Sequence, residues 1–227
     1  MDVKDNLQHI MKRIEQSCEK VNRKSTEVKI IGVTKYVSIP RASEALAAGV
    51  IHLGENRVEE GLEKREALGD KAIWHFIGNL QSKKVKQMID QFDYLHSLDR
   101  LSLAKEINKR APHGTSIKCF VQINVSGEES KSGINPSDAI QFVTSLKQFE
   151  AIEVVGLMTM APFVENKEET RPVFRKLKEL KDTIEALQLP HAPCHELSMG
   201  MSNDYEVAVE EGATFIRIGS SLVGNES

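Results

Sequence analysis

Lys35 closes the apolar run IIGVTK (30–35). A lysine that follows so many apolar residues is a candidate for partial desolvation, which disfavours the ammonium and frees the amine to attack a carbonyl. A lone strand-end lysine is more often solvated or snorkelling, so other residues must tip the balance. The segment SMGMS (198–202) joins small residues to hydroxyls and opens the helical pattern NDYEVAVEEG. Such a turn can aim backbone N–H groups and a serine hydroxyl at a phosphate. FIRIGSS (215–221) ends in Gly219, Ser220 and Ser221, again suited to close backbone approach to an anion. Arg217, flanked by Ile216 and Ile218, needs something to receive it: a phosphate, a carboxylate such as Glu196, a ring nitrogen acting as acceptor, or a partner in a structural ion pair.

These residues must be positioned by a scaffold, and the chain alternates short β-branched runs with longer helical patterns. The strand candidates are 28–34, 49–54, 72–78, 94–98, 117–125, 152–158, 193–198 and 213–219. Helical patterns lie between them, which implies parallel pairing through right-handed crossovers. Eight such units in 227 residues predict an α/β fold, a (β/α)8 TIM barrel, as one domain over 1–227. An open doubly wound sheet is the alternative, and the weakest element is the seventh strand, with Pro193, His195 and Glu196. Residues 1–24, with Leu7, Ile10, Met11, Ile14, Cys18 and Val21 at helical spacing, predict an extra N-terminal helix covering one end of the core. In such a barrel, reacting groups sit at the carboxyl ends of the strands and phosphates bind after strands seven and eight. The two turns therefore reinforce each other, and a phosphorylated ligand is the leading expectation.

A net charge of -3, with no basic stripe interleaved with aromatics, argues against nucleic acid as a partner. No apolar run is long enough to span a bilayer and no secretory leader is apparent, so a cytoplasmic location is expected. Cys18, Cys119 and Cys194 fit reduced structural thiols. Aromatics are 5% of residues, which predicts a mostly aliphatic core.

VTKYVS (33–38), HLGENRVEE (52–60), WHFIGNLQSKK (74–84), INVSGEESKSGI (123–134), GLMTMAP (156–162), ELSMGMSNDYEVAV (196–209) and FIRIGSSLVG (215–224), taken in order, closely resemble the pyridoxal phosphate homeostasis proteins, also called proline synthetase co-transcribed homologues. The resemblance runs from about Lys29 to Gly224; only the N-terminal helix is generic. It implies a barrel similar to the N-terminal domain of alanine racemase, with pyridoxal 5'-phosphate held as a Schiff base on Lys35. It further implies that Ser202, Gly219 and Ser220 hold the phosphate, that Ser198 and Gly200 shape the turn, and that Arg217 faces the pyridine nitrogen. Asn56 and His75 match motif positions near the ring or its lysine, although a satisfied strand histidine is an equal account of His75. Two departures are mild: the family often has threonine where Ser220 stands and phenylalanine where Val223 stands.

Arginine against the ring nitrogen can only donate, which weakens carbanion stabilisation by the cofactor. Alanine racemases resemble this arrangement, but they draw a second base, a tyrosine, from a C-terminal β domain. This chain stops shortly after strand eight, and Tyr36, Tyr94 and Tyr205 offer no obvious substitute. The expectation is a cofactor holder serving vitamin B6 homeostasis, monomeric, with little turnover, no catalytic residues and transient contacts with apo-enzymes. The alternatives are an amino-acid racemase, a Schiff-base aldolase or phosphosugar isomerase, and a metal hydrolase using His75, His96, His195 and the HAPCHE cluster (191–196). Lys131, after strand five, is a second amine expected near the barrel mouth, where a solvated loop lysine is the commoner account.

Overall fold

The computed structural model describes residues 2–128 and 131–224. Eight strands form a closed parallel barrel in chain order. They are β1 (Lys29–Val33), β2 (His52–Glu55), β3 (Ile73–Phe76), β4 (Tyr94–Leu98), β5 (Ile117–Gln122), β6 (Ile152–Met158), β7 (Glu196–Met201) and β8 (Phe215–Ile218). Closure is made by β1 on β8, with Ile31 opposite Arg217. The expected α/β barrel is thus present, and the open sheet is excluded.

Helices α1 (Val3–Lys20), α2 (Ile39–Ala48), α3 (Val58–Leu68), α4 (Val85–Met88), α5 (Leu101–Arg110), α6 (Ala139–Ser145), α7 (Arg171–Glu185), α8 (Tyr205–Glu210) and α9 (Ser220–Val223) surround the barrel. Among the described residues no helix is long and apolar enough to cross a membrane. Helix α1 buries Leu7, Ile10, Ile14 and Cys18 along one stripe, and the Asp2 carboxylate accepts from the Lys4 amide at 3.0 Å to cap it. It packs on α2, α8 and α9 and so does not cover an end of the core, as its amphipathic pattern suggested. The physical reason is the one-turn length of α9, too short to cover the seam between β8 and β1.

The seventh strand begins three residues later than its sequence pattern predicts. Cys194 has φ +51, so although its amide donates to the Val154 carbonyl, residues 193–195 are irregular and the strand begins only at Glu196. SMGM lies inside β7, and the expected helix after it opens only at Tyr205. The second strand also starts late, because Gly49 at φ 108 caps α2 in the left-handed region.

The shell between strands and helices is mostly aliphatic, as expected from composition, with Trp74, Phe76 and Phe174 its largest fully buried aromatics, but the lumen is not. Tyr94, Phe120 and Phe215 meet there with His52, His75 and His96; His75 stacks on Tyr94 at 4.5 Å and His96 on Phe120 at 4.3 Å between centroids. Gly156 of β6 faces Glu196 of β7, where a Cβ would stand 2.0 Å from the Glu196 carbonyl oxygen. Gly156→Ala is expected to cost about 1–3 kcal/mol through this overpacking, read as a lower denaturant midpoint at unchanged slope.

Candidate functional site

At the carboxyl ends of the strands a cavity of about 480 Å³ opens, lined by Lys35, Asn56, Ser202, Arg217, Gly219 and Ser220 among others. Folding brings together residues from the ends of β1, β2, β7 and β8, the first and last of them 185 positions apart (220 minus 35) in the chain.

Lys35 follows β1 by two residues in a turn whose next residue, Tyr36, has φ +65. The lysine is exposed, contrary to the desolvation its apolar run suggested. The strand ends at Val33 and the chain turns at the lip, so Ile31 to Thr34 are buried and the Lys35 stem is not. Its ammonium lies 5.6 Å from the Tyr36 ring centre, and the Arg57 guanidinium sits over the same ring at 5.5 Å.

Beneath this turn lies a buried polar group. The Thr34 hydroxyl donates to Glu55 Oε1 at 2.5 Å, and Lys64 Nζ donates to the same oxygen at 2.8 Å and to the Thr34 carbonyl at 2.6 Å. Burial pushes the Glu55 carboxyl above its ordinary range, and the bonds from Lys64 and Thr34 pull it back. Lys64 on α3 thereby ties the end of β1 to the end of β2. Lysine pattern and spacing gave no hint of this, since Lys64 occupies what reads as an ordinary solvated helix position.

The other wall comes from the two expected phosphate turns. The Gly219 amide donates to Ser202 Oγ at 3.3 Å, and α9 starts at Ser220, so the first amides of that turn have no intrahelical acceptor. Gly200, at φ 93, lies within 2.6 Å of Ala208 Cβ by the position a Cβ would take; this left-handed kink lets α8 close against β7. Ser198 and Gly200 are therefore inside the strand and not on the cavity wall. Asp204 was missed by sequence reasoning; its carboxylate accepts from the Met201 amide at 2.6 Å and fixes the turn that carries Ser202. An aspartate two residues after a candidate turn serine is the signal that would have found it.

Arg217 is 5% exposed and lines the cavity from β8. It donates through Nη1 to Ser198 Oγ at 2.6 Å and through Nη2 to the Thr159 carbonyl at 3.0 Å. Burial weakens its charged form, and the nearby Asp204 charge opposes that. Glu196 is not its partner: at the amino end of β7 the glutamate pairs with Lys29 at 3.0 Å, whereas Arg217 stands in register with Met201 at the other end. Asn56 lines the same cavity, and its side-chain oxygen is buried without a hydrogen-bond partner. A buried acceptor left open at a cavity wall fits a ligand that supplies a donor.

His75 is not on the cavity wall. Its ring is fully buried in the lumen, 2.9 Å from His52 on one side and 2.9 Å from His96 on the other. The strand alternation points it inward below the mouth. Among the described residues no group of three His, Cys, Asp or Glu side chains could hold a metal ion. His195 pairs instead with Glu185 at 2.6 Å on the outer face, and burial pushes the Cys194 thiol up to about 12. Lys131 pairs with Glu128 at 3.0 Å.

The family model described as alanine racemase, N-terminal domain, matches residues 6–227. A pyridoxal phosphate homeostasis protein of Aquifex aeolicus is 42% identical, covering 99% of this chain and 98% of the relative. Another, of Haemophilus influenzae, is 35% identical over 99% and 96%. Among solved structures, PipY of Synechococcus elongatus with PLP bound is 34% identical, covers 93% of this chain and 100% of that one, and superposes with a TM-score of 0.80. An alanine racemase of Clostridium difficile, 20% identical with a TM-score of 0.76 over 97% of this chain and 56% of that one, shares the fold.

Proposed function

Because the chain belongs to the pyridoxal phosphate homeostasis proteins, within the alanine racemase N-terminal-domain family, we propose that it binds pyridoxal 5'-phosphate in this cavity and holds it through the amine of Lys35. The observation that carries the proposal is the meeting, in one cavity, of an exposed amine, two anion-suited turns and a buried arginine. Ser202 and Ser220 would take the phosphate through a hydroxyl and the amide that opens α9, and Gly219, whose own amide donates to Ser202 Oγ, would let the backbone approach it closely. Arg217 donates to the ring nitrogen, and the open acceptor of Asn56 lies on the same wall.

When bound, the cofactor supplies an electron sink, strongest with its ring nitrogen protonated. The residues here work against that use. A guanidinium only donates, so with Arg217 at the ring nitrogen that nitrogen would stay unprotonated. Among the described residues, proton transfer on the face away from Lys35 has no ready base: Asp204 is occupied by the Met201 amide, Lys167 on the cavity wall pairs with Glu206, Tyr94 lies in the lumen and Tyr205 is buried on α8. We therefore assign a holder, working in the cytosol as a monomer, that retains the cofactor and releases it to apo-enzymes. Phe163, 85% exposed on the cavity wall, gives such a transient partner an apolar foothold.

Titration of the purified protein with pyridoxal phosphate is expected to develop a visible absorbance band that borohydride bleaches, with transfer of cofactor to an apo-enzyme and negligible racemisation of amino acids. A protein that stays colourless at saturating cofactor refutes the site, and racemisation at ordinary enzyme rates refutes the holder. Ser202→Ala is expected to weaken cofactor affinity by roughly ten- to a hundredfold, as loss of a hydrogen bond to a charged group costs roughly 1.5–3 kcal/mol; equilibrium dialysis measures it.

A further inference from the structure

A string of buried side chains crosses the lumen and ends on Arg217. His52 Nδ1 lies 2.9 Å from His75 Nε2, His75 Nδ1 lies 2.9 Å from His96 Nε2, and His96 Nδ1 lies 2.8 Å from Ser198 Oγ. The same hydroxyl receives Arg217 Nη1 at 2.6 Å. His75 and His96 are fully buried, and His52 is partly so. Burial, reinforced by the neighbouring histidines at His75 and by Arg217 at His96, pushes both imidazoles well below their ordinary range. Burial lowers His52 too, with Lys29 adding to it, so the surroundings of all three favour the neutral ring, which carries one proton.

The three rings point in the same sense, Nδ1 of one against Nε2 of the next, and each contact needs one proton. Neutral imidazoles so joined have two fully bonded arrangements: all Nδ1–H or all Nε2–H. A mixture leaves two protons, or none, facing each other in a buried contact. Ser198 selects between the two. Arg217 can only donate, so the hydroxyl accepts from it and turns its own proton toward His96 Nδ1, its other polar neighbour. That places the proton on Nε2 of His96, then of His75, then of His52. The guanidinium charge favours the same sense, because every N–H dipole in the string then points away from the cation.

We propose that Ser198, His96, His75 and His52 are positioning residues for Arg217: a string of one tautomer that fixes the guanidinium and leaves its remaining donors to the cavity. No carboxylate hydrogen-bonds to Arg217 among the described residues; its acceptors are one hydroxyl and one backbone carbonyl. A carboxylate in their place would neutralise the arginine, whereas a neutral string holds it without spending its charge. The string is a property of the unliganded protein, and only its consequence for the ligand rests on the proposed cofactor site.

Histidine-labelled full-length protein without ligand, read by long-range ¹H–¹⁵N NMR, is expected to show His52, His75 and His96 all as Nε2–H. In Ser198→Ala, which removes the proton donor to His96, the ¹⁵N shifts of His96 and of His75 move toward mixed tautomers, although His75 does not touch Ser198. An Nδ1–H ring in the wild type, or an unchanged His75 in the variant, overturns the string. If Ser198→Ala fails to fold, His75→Phe keeps a ring stacked on Tyr94 and cuts the string; His96 then stays Nε2–H while His52 becomes mixed, and a His52 unchanged by the cut overturns the string. With pyridoxal phosphate, the same variant is expected to bind at least tenfold more weakly (~1.4 kcal/mol) while borohydride still traps the adduct on Lys35. Unchanged affinity removes the positioning role. A wild type with the expected tautomers and no cofactor binding refutes the proposed function and leaves the string standing.

Discussion

Lys35→Ala is expected to abolish covalent retention of pyridoxal phosphate altogether. After borohydride reduction and proteolysis, mass spectrometry of the wild type should place one pyridoxyl group on the peptide containing Lys35, and the variant should carry none there. Residual binding through Ser202, Gly219 and Ser220 persists, weakened by at least about tenfold, or roughly 1.4 kcal/mol. The unliganded variant should unfold within about 0.5 kcal/mol of the wild type, because the lysine is exposed at the lip of the barrel and contributes little packing. That contrast separates loss of an attachment point from loss of the fold. An adduct of undiminished yield on another lysine of the variant would sink the assignment of Lys35.

Lys64→Met should be the most destabilising of the substitutions considered, by about 3–5 kcal/mol at pH 8. It leaves Glu55, fully buried, with only the Thr34 hydroxyl, and deprives the Thr34 carbonyl of its lysine donor. The loss has a defined pH dependence. Glu55 already has a folded-state pKa raised by burial, and removing the lysine raises it further. A carboxyl with a raised folded pKa binds more protons folded than unfolded, so stability falls as pH rises above the ordinary carboxylate value, about 4.3. The deficit should therefore be small near pH 5 and larger at pH 8. Pairing the change with Glu55→Gln should recover much of it and flatten the pH dependence. Urea denaturation at the two pH values measures all three proteins, and an equal deficit at both would show that Glu55 is not the group left exposed to the cost. Since Thr34 precedes Lys35, the same variant should also retain cofactor less well.

The strand pattern alone carried the architecture. Eight β-branched runs separated by helical patterns admit few topologies, and right-handed crossovers with closure leave the barrel. The strand-end location of Lys35, Ser202, Arg217, Gly219 and Ser220 was legible for the same reason, because chain order fixes which loops share the barrel mouth. Local dihedral choices were not legible. The left-handed Cys194 and the kink at Gly200 move the seventh strand by three residues, and they depend on what packs against them rather than on residue type.

Which polar groups meet was decided by tertiary structure. Sequence offered Glu196 to Arg217, but barrel register sends that glutamate to Lys29 at the opposite end. It left His75 between cofactor contact and core, and inward-facing positions on β2, β3 and β4 join it to His52 and His96 across neighbouring strands. Periodicity says that a side chain faces inward; its height in the lumen, and so its partner, follows from strand register, which is set only when the sheet closes.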